Sequence, residues 1–442
     1  MMSMAATLPR PLRALGAAWL LCCSLAPAWA ADLTIACGRD AQTTGLCRDA
    51  ATAWATRTGH RVLVLGTPPD DARRLARYQE LLEVGAPELD VLEIDALWCG
   101  RLAPHLADLR PLLGGAESGF LTPLIRNDTA SGRLVALPWY LELGLLYYRS
   151  DLLARYQLPI PRTWAELAET ALRLQEAQRL LGNPGFWGFV WAGGEDEALT
   201  ATALEWIASQ GGGTLVEPDG RVSVNNPRAQ FALQRAADWV RGITPEAVLH
   251  ATPPDNLAAF GAGQVAFMRH WSGAWTTLQG VATPVADRFG VAPLPQGEGG
   301  GARPPALAAG AALGPAATLG GGQLAVSRYS RHTPQAADLV LHLTGAAVQR
   351  QRALAAGFNP TRADLYTDPD LLDARPHLSD LAGALPGLVA RPSTATGRQY
   401  PQVSAAFAAA VRAVLSGQQT PDAALSGLAR RLNDLSRDGS AW

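Results

Sequence analysis

Asp32-Leu-Thr-Ile-Ala36, Arg61-Val-Leu-Val-Leu65 and Leu89-Asp-Val-Leu-Glu-Ile94 are three short apolar runs, and what lies between them decides the fold. Alternating and β-branched character predicts strands in all three. The intervening stretches have the apolar spacing of amphipathic helices, from about Leu46 to Thr58, closed by Gly59, and from Leu75 to Val84. Strand and helix therefore alternate as βαβαβ. Parallel strands need such crossovers, so the pattern predicts an α/β fold with helices covering a parallel sheet.

Outward from this stretch, helix starts are marked clearly. Thr163-Trp-Ala-Glu166 is a capping box, in which hydroxyl and carboxylate satisfy the free amides of a first turn. Asn226-Pro227, Thr333-Pro334 and Thr420-Pro421 each set a capping side chain before a proline at the first helical position. Gly297 to Ala317 is mostly Gly, Ala and Pro, which predicts a mobile surface loop. At 442 residues the chain is too long for one compact core, so two lobes are expected.

The beginning of the chain reads as a leader. Arg10 and Arg13 precede the apolar run Ala14–Leu25, which ends in Ala28-Trp29-Ala30, and this order predicts export with cleavage after Ala30. Lipid attachment at Cys22 or Cys23 fits less well, because Leu21 or Cys22 would precede the modified residue. A free periplasmic protein is the expectation. In an oxidising compartment Cys37 and Cys47 are expected to pair across a short loop, rather than stay as two free thiols. Cys99 is then left over, expected to be buried beside Trp98.

Composition excludes several function classes. Thirty-seven basic and 39 acidic side chains leave a net charge of −2, with no electrostatic case for nucleic acid or an anionic membrane surface. The seven histidines include no pair four residues apart on a helix, the cysteines have no zinc spacing, and no metal is expected. There is no nucleophile elbow and no phosphate-binding loop. The acidic run Glu195-Asp196-Glu197 reads as a solvated turn. Neither an enzyme activity nor a cofactor is called for.

Tryptophan is more informative. Of 13, Trp54, Trp164, Trp206 and Trp239 sit on amphipathic helices and are assigned to core. Trp271 and Trp275 lie in the turn after Ala266-Phe267-Met268, where a flat ring suits a cleft edge and the C–H face of a sugar.

With these segments in hand, the mature chain resembles the extracellular sugar-binding proteins of ABC importers, most closely the trehalose/maltose branch. The resemblance is carried by Cys37-Gly38…Cys47, Tyr78-Gln79, Ile94-Asp95…Trp98, Leu146-Tyr-Tyr-Arg149, Ala203-Leu-Glu-Trp206, Val224-Asn-Asn-Pro227, Val291-Ala-Pro-Leu-Pro295, Asn359-Pro-Thr361 and Ala390-Arg-Pro-Ser393, in order. It implies a periplasmic-binding-protein-like pair of α/β lobes joined by three crossovers, one lobe holding 32–141 and 294–345 and the other 142–293 and 346–442, with a sugar between them. It also implies a membrane permease as partner and a monomeric state.

Site residues follow by the same resemblance. Arg74, Asp95, Tyr140, Trp271 and Arg391 stand where such proteins contact sugar, Glu142 where an aspartate is usual, and Gly321 directly before a position where a tryptophan is usual. Three positions depart: Thr43 replaces an acid (Gln42 if the alignment slips), Gly273 a tyrosine and Gly322 a tryptophan. Two readings of these losses stay open. Either neighbours such as Trp275 or the 297–317 loop fill the gap, or the cleft takes a different or larger glycan or polar solute.

Overall fold

The computed structural model describes residues 1, 30–194, 196–280, 283–298, 314–438 and 442. The expected leader therefore lies almost wholly outside the described residues, as do Glu195 and most of the 297–317 loop. Among the described residues no helix is long and apolar enough to cross a membrane.

The βαβαβ expectation holds: β1 (Asp32–Ala36), α1 (Ala41–Thr58), β2 (Arg61–Leu65), α2 (Asp71–Glu83) and β3 (Val91–Asp95) follow in order, with β1 parallel to both β2 and β3. Both helices begin four or five residues earlier than their apolar spacing suggests. The side chain of Asp40 accepts from the Thr43 amide and that of Asp70 from the Arg73 amide, so caps rather than hydrophobic period set the starts.

Two long strands then unite the molecule. Ala136–Arg149 and Ala317–Val326 run antiparallel at the centre of a nine-stranded sheet. At one end Ala317–Val326 pairs with β3. At the other, Ala136–Arg149 pairs with Val265–Trp271 and Phe289–Ala292, and Trp187–Val190 adds in parallel beyond. Each long strand belongs to one lobe at its start and the other at its end. Their apolar residues feed separate cores, one built around Trp164, Trp191, Trp206 and Trp239, the other around β1, Trp54 and Leu339.

The lobe boundaries differ from expectation in two places. The chain does not return to the first lobe at 294: Leu294 packs in the second core, and Glu298 pairs with Arg235 at 2.7 Å. The return happens inside Ala317–Val326. Helix Ala346–Ala356, assigned to the second lobe, instead runs along the boundary, with Val348 in the first core and Ala353 in the second, and Phe358 still packs on the first, so the last crossing is completed after Phe358. Physically, the crossings sit where paired strands are continuous, which linear segment matching does not see. All three meet at Leu141, which is paired with Gly321 and whose amide donates to the Asn359 carbonyl at 2.9 Å.

The 297–317 loop is also corrected at its ends, since Ala316 and Ala317 are buried and Ala317 already belongs to a strand. Cys37 and Cys47 form a disulfide, and Cys99 is buried and free.

Candidate functional site

Sheet register gathers the site at the crossings. Gly322 lies opposite Asp95 on one side and Tyr140 on the other, Gly320 opposite Glu142, and Gly144 opposite Trp271. Residues more than two hundred positions apart are thereby brought onto neighbouring rungs. Gly321 has φ +110° beside a register shift, a conformation side chains rarely adopt, and an added Cβ would press into the Tyr140 carbonyl.

Two cavities that share Arg39, Asp95, Glu142 and Gly321 open here. The outer, about 590 Å³, is lined by Asp95, Glu142, Glu197, Trp271, Gly273 and Arg391 among others. Arg391 donates to Glu197 at 2.6 Å and to the Leu319 carbonyl at 3.0 Å. Glu197 also accepts from Tyr400 and Ser404, each at 2.7 Å, so three donors hold one carboxylate. The Trp271 indole lies 4.4 Å from the Arg269 guanidinium and 5.4 Å from that of Arg391. Arg269 is fixed in turn by a buried pair with Glu205. This flat, half-buried ring is held by cation–π contacts and has little freedom to swing.

Glu142 and Asp95 line both cavities. One Glu142 oxygen accepts from the Ser272 hydroxyl at 2.7 Å and the Gly273 amide at 2.8 Å. One Asp95 oxygen accepts from the Leu97 amide at 2.9 Å. Burial pushes both carboxyls above their usual range, because neither has a cation within ion-pair distance to offset desolvation. Among the described residues each keeps its second oxygen without a protein donor. These are acceptors set for hydroxyl groups.

The inner cavity, about 310 Å³, shares Arg39 with the outer and adds Asp40, Thr43, Glu93, Tyr140 and Arg352. Tyr140 donates to Glu93 at 3.3 Å, while the other Glu93 oxygen takes the Gly38 amide at 2.6 Å. Thr43 spends its hydroxyl on the Arg39 and Asp40 amides at the start of α1.

Of the ten residues expected at the site, Asp95, Glu142 and Gly321 line both cavities, Thr43 and Tyr140 the inner, and Trp271, Gly273 and Arg391 the outer. Two line neither. Arg74 is fully buried, its guanidinium 4.8 Å over Trp98 and 2.7 Å from Asp71, because α2 turns that face into the lobe. Gly322 is covered by Tyr140, whose ring fills the space a Cβ would take. Trp275 does not edge the cleft: it stacks on His377 at 4.3 Å and packs on Phe289. Glu197, read as part of a solvated turn, belongs to helix Asp196–Ser209 and faces the outer cavity. Arg39, Glu197 and Arg352 were missed. An acid beside a helix start was a visible cue for Glu197, whereas nothing in the local sequence distinguishes Arg352 from a solvated helix arginine. Among the described residues, no three His, Cys, Asp or Glu side chains are grouped to hold a metal.

Comparison with known proteins bears on this geometry. Residues 50–350 match the family model described as bacterial extracellular solute-binding protein. A probable ABC transporter-binding protein of Deinococcus radiodurans is 42% identical over 417 residues, 94% of this chain and 96% of that one. The solved structure of maltose-bound MalE3 of T. maritima is 32% identical, with a TM-score of 0.74 over 92% of this chain and 100% of that one. A cyclic alpha-maltosyl-1,6-maltose binding protein from Arthrobacter globiformis, 21% identical, superposes with a TM-score of 0.76 over 92% of this chain and 99% of that one, which supports the two-lobed fold.

Proposed function

The chain belongs to the bacterial extracellular solute-binding proteins, and from that premise we propose that it captures an α-glucoside disaccharide of the maltose or trehalose kind and delivers it to an ABC permease. The observation that carries the reading is the outer cavity itself. A clamped indole, two carboxylates with open oxygens and a guanidinium share one space, offering a flat apolar face plus acceptors and donors. Sugars have this alternation of C–H faces and hydroxyls. The maltose carried by the T. maritima relative supports the choice of sugar. Export by the N-terminal leader and action as a periplasmic monomer complete the proposal.

A different or larger glycan is the second reading. It is favoured by Gly273 and Gly322, which present no side chain where two aromatics were expected. A thermal-shift screen over glucose, maltose, trehalose and longer glucans decides between them, because a ligand at a hundred times its dissociation constant stabilises by about 2.7 kcal/mol. A shift with longer glucans alone selects the second reading, and no shift with any sugar overturns both. Release of glucose during prolonged incubation would overturn the view that the ligand leaves unchanged.

A further inference from the structure

A buried ion pair lies directly behind the ring that faces the outer cavity. Arg269 and Glu205 are buried and neither lines a cavity, whereas Trp271, 4.4 Å from the Arg269 guanidinium, lines the outer one. The pair is two-pronged: Arg269 Nε donates to one Glu205 oxygen at 2.8 Å and Nη2 to the other at 2.5 Å. That second oxygen also accepts from the Thr318 amide at 3.0 Å and from the Thr318 hydroxyl, which itself accepts from Arg269 Nη2 at 3.1 Å. Gly144, opposite Trp271 in the sheet, leaves room for this carboxylate, since a Cβ there would press into its Oε1. The chain neighbours Ala203, Trp206, Phe267 and Met268 all belong to the apolar core of the second lobe. Desolvation offsets most of what an ion pair gains on burial, so the pair adds little net stability to such a layer. What it fixes is position. Helix Asp196–Ser209, strand Val265–Trp271 and the crossing strand Ala317–Val326 each send one residue to the same carboxylate group. Arg391 makes a parallel tie, from Glu197 on the same helix to the Leu319 carbonyl, but it lines the cavity and can meet a ligand itself.

We propose that Glu205 is a positioning residue of the sugar site: through Arg269 it sets the orientation of the Trp271 indole, and through Thr318 it locks that ring to the crossing strand. The inference rests on the sugar-capture reading above and goes past it, to a residue that governs affinity without touching the ligand. Held at two nitrogens, the Arg269 guanidinium cannot turn, and the indole packed over it keeps one tilt. Stacking depends on that tilt, because a gap of an ångström already forfeits much of the contact energy. The strand supplies the common reference. Thr318 fixes the indole through Glu205 and Arg269, Gly320 pairs with Glu142, and Gly322 pairs with Asp95. Three alternate residues of one strand thus register the stacking face and both hydroxyl acceptors against each other.

Titration calorimetry with maltose, trehalose and a longer linear glucan, run as a double-mutant cycle with W271A, tests this. E205Q removes the charge, R269K keeps the charge but not the two-pronged grip, and T318V removes only a hydroxyl and leaves the pair intact. With Trp271 present, E205Q and R269K are expected to weaken sugar binding by about fivefold to fiftyfold and T318V by less, whereas in the W271A background each changes it by less than about twofold. A loss of equal size in both backgrounds is what a generally loosened core gives, and it overturns the inference while sugar capture stands. A second readout needs no ligand and decides where W271A binds too weakly to fit. The near-ultraviolet circular dichroism of Trp271, taken as the difference between the unaltered protein and W271A, is expected to shrink in the three variants. The same difference at full strength in every variant that folds overturns the inference. Where E205Q and R269K fail to fold, T318V decides on both readouts. Binding of no sugar by the unaltered protein overturns sugar capture, and the inference falls with it.

Discussion

Trp271 and Asp95 carry the largest expected effects at the scale of single residues. Each replaced by alanine should weaken sugar binding by about 2–4 kcal/mol, the range for anchors at the centre of a desolvated contact. Calorimetry giving unchanged affinity in both variants would remove the outer cavity from consideration. Asp128 makes a prediction about stability. It is fully buried beside Cys99 and Asn127, one of its oxygens has no partner, and burial pushes its carboxyl up to about 7. The sign follows from linkage: the unfolded chain ionises this group from about pH 4, whereas the fold keeps it protonated to about 7. Stability contributed by the protonated form is therefore present in acid and lost as pH rises through that window, at up to about 1.4 kcal/mol per pH unit. Asp128→Asn should flatten that slope in denaturant titrations run at pH 5, 6 and 7. A slope equal to that of the unaltered protein would show that Asp128 is ionised throughout.

Among elements, the turn from β1 into α1 links stability to the site. The Cys37–Cys47 bridge closes a loop holding Gly38, Arg39, Asp40 and Thr43, all of which line the inner cavity. Removing both sulfurs with Cys37→Ala and Cys47→Ala should cost about 2–3 kcal/mol of stability, on the entropy of a short closed loop. It should also weaken sugar binding, since Arg39, which lines both cavities, loses its tether. Melting and calorimetry on the same variant check both, and a sugar affinity left unchanged would separate the bridge from the site. Much of this element was legible in advance. The strand, the helix and the cysteine pairing follow from local pattern. That Thr43 turns its hydroxyl to the helix start while Arg39 faces the cavity does not, because both choices satisfy the same local sequence and only packing against Glu93 and Asp71 decides between them.

For the whole molecule, two lobes are joined by crossings that meet near Leu141, and residues of both line the outer cavity. If ligand binds both walls it favours the closed arrangement by its differential affinity, so solution scattering should show a smaller radius of gyration with saturating disaccharide. An identical profile with and without ligand would mean that capture occurs without closure. The sequence by itself determined the α/β class, the order of the first five elements, the helix caps at Thr163, Asn226 and Thr420, though not at Thr333, which lies inside its helix, and the membership of Asp95, Glu142, Trp271 and Arg391 in one region, because each rests on short-range periodicity or on segments in a fixed order. Tertiary structure alone decided where the chain passes from lobe to lobe, the burial of Arg74, the recruitment of Glu197 and the burial of Arg352 between Trp139 and Phe358. Those outcomes depend on strand register and on which charges end up sharing a space without water, and both arise between residues hundreds of positions apart.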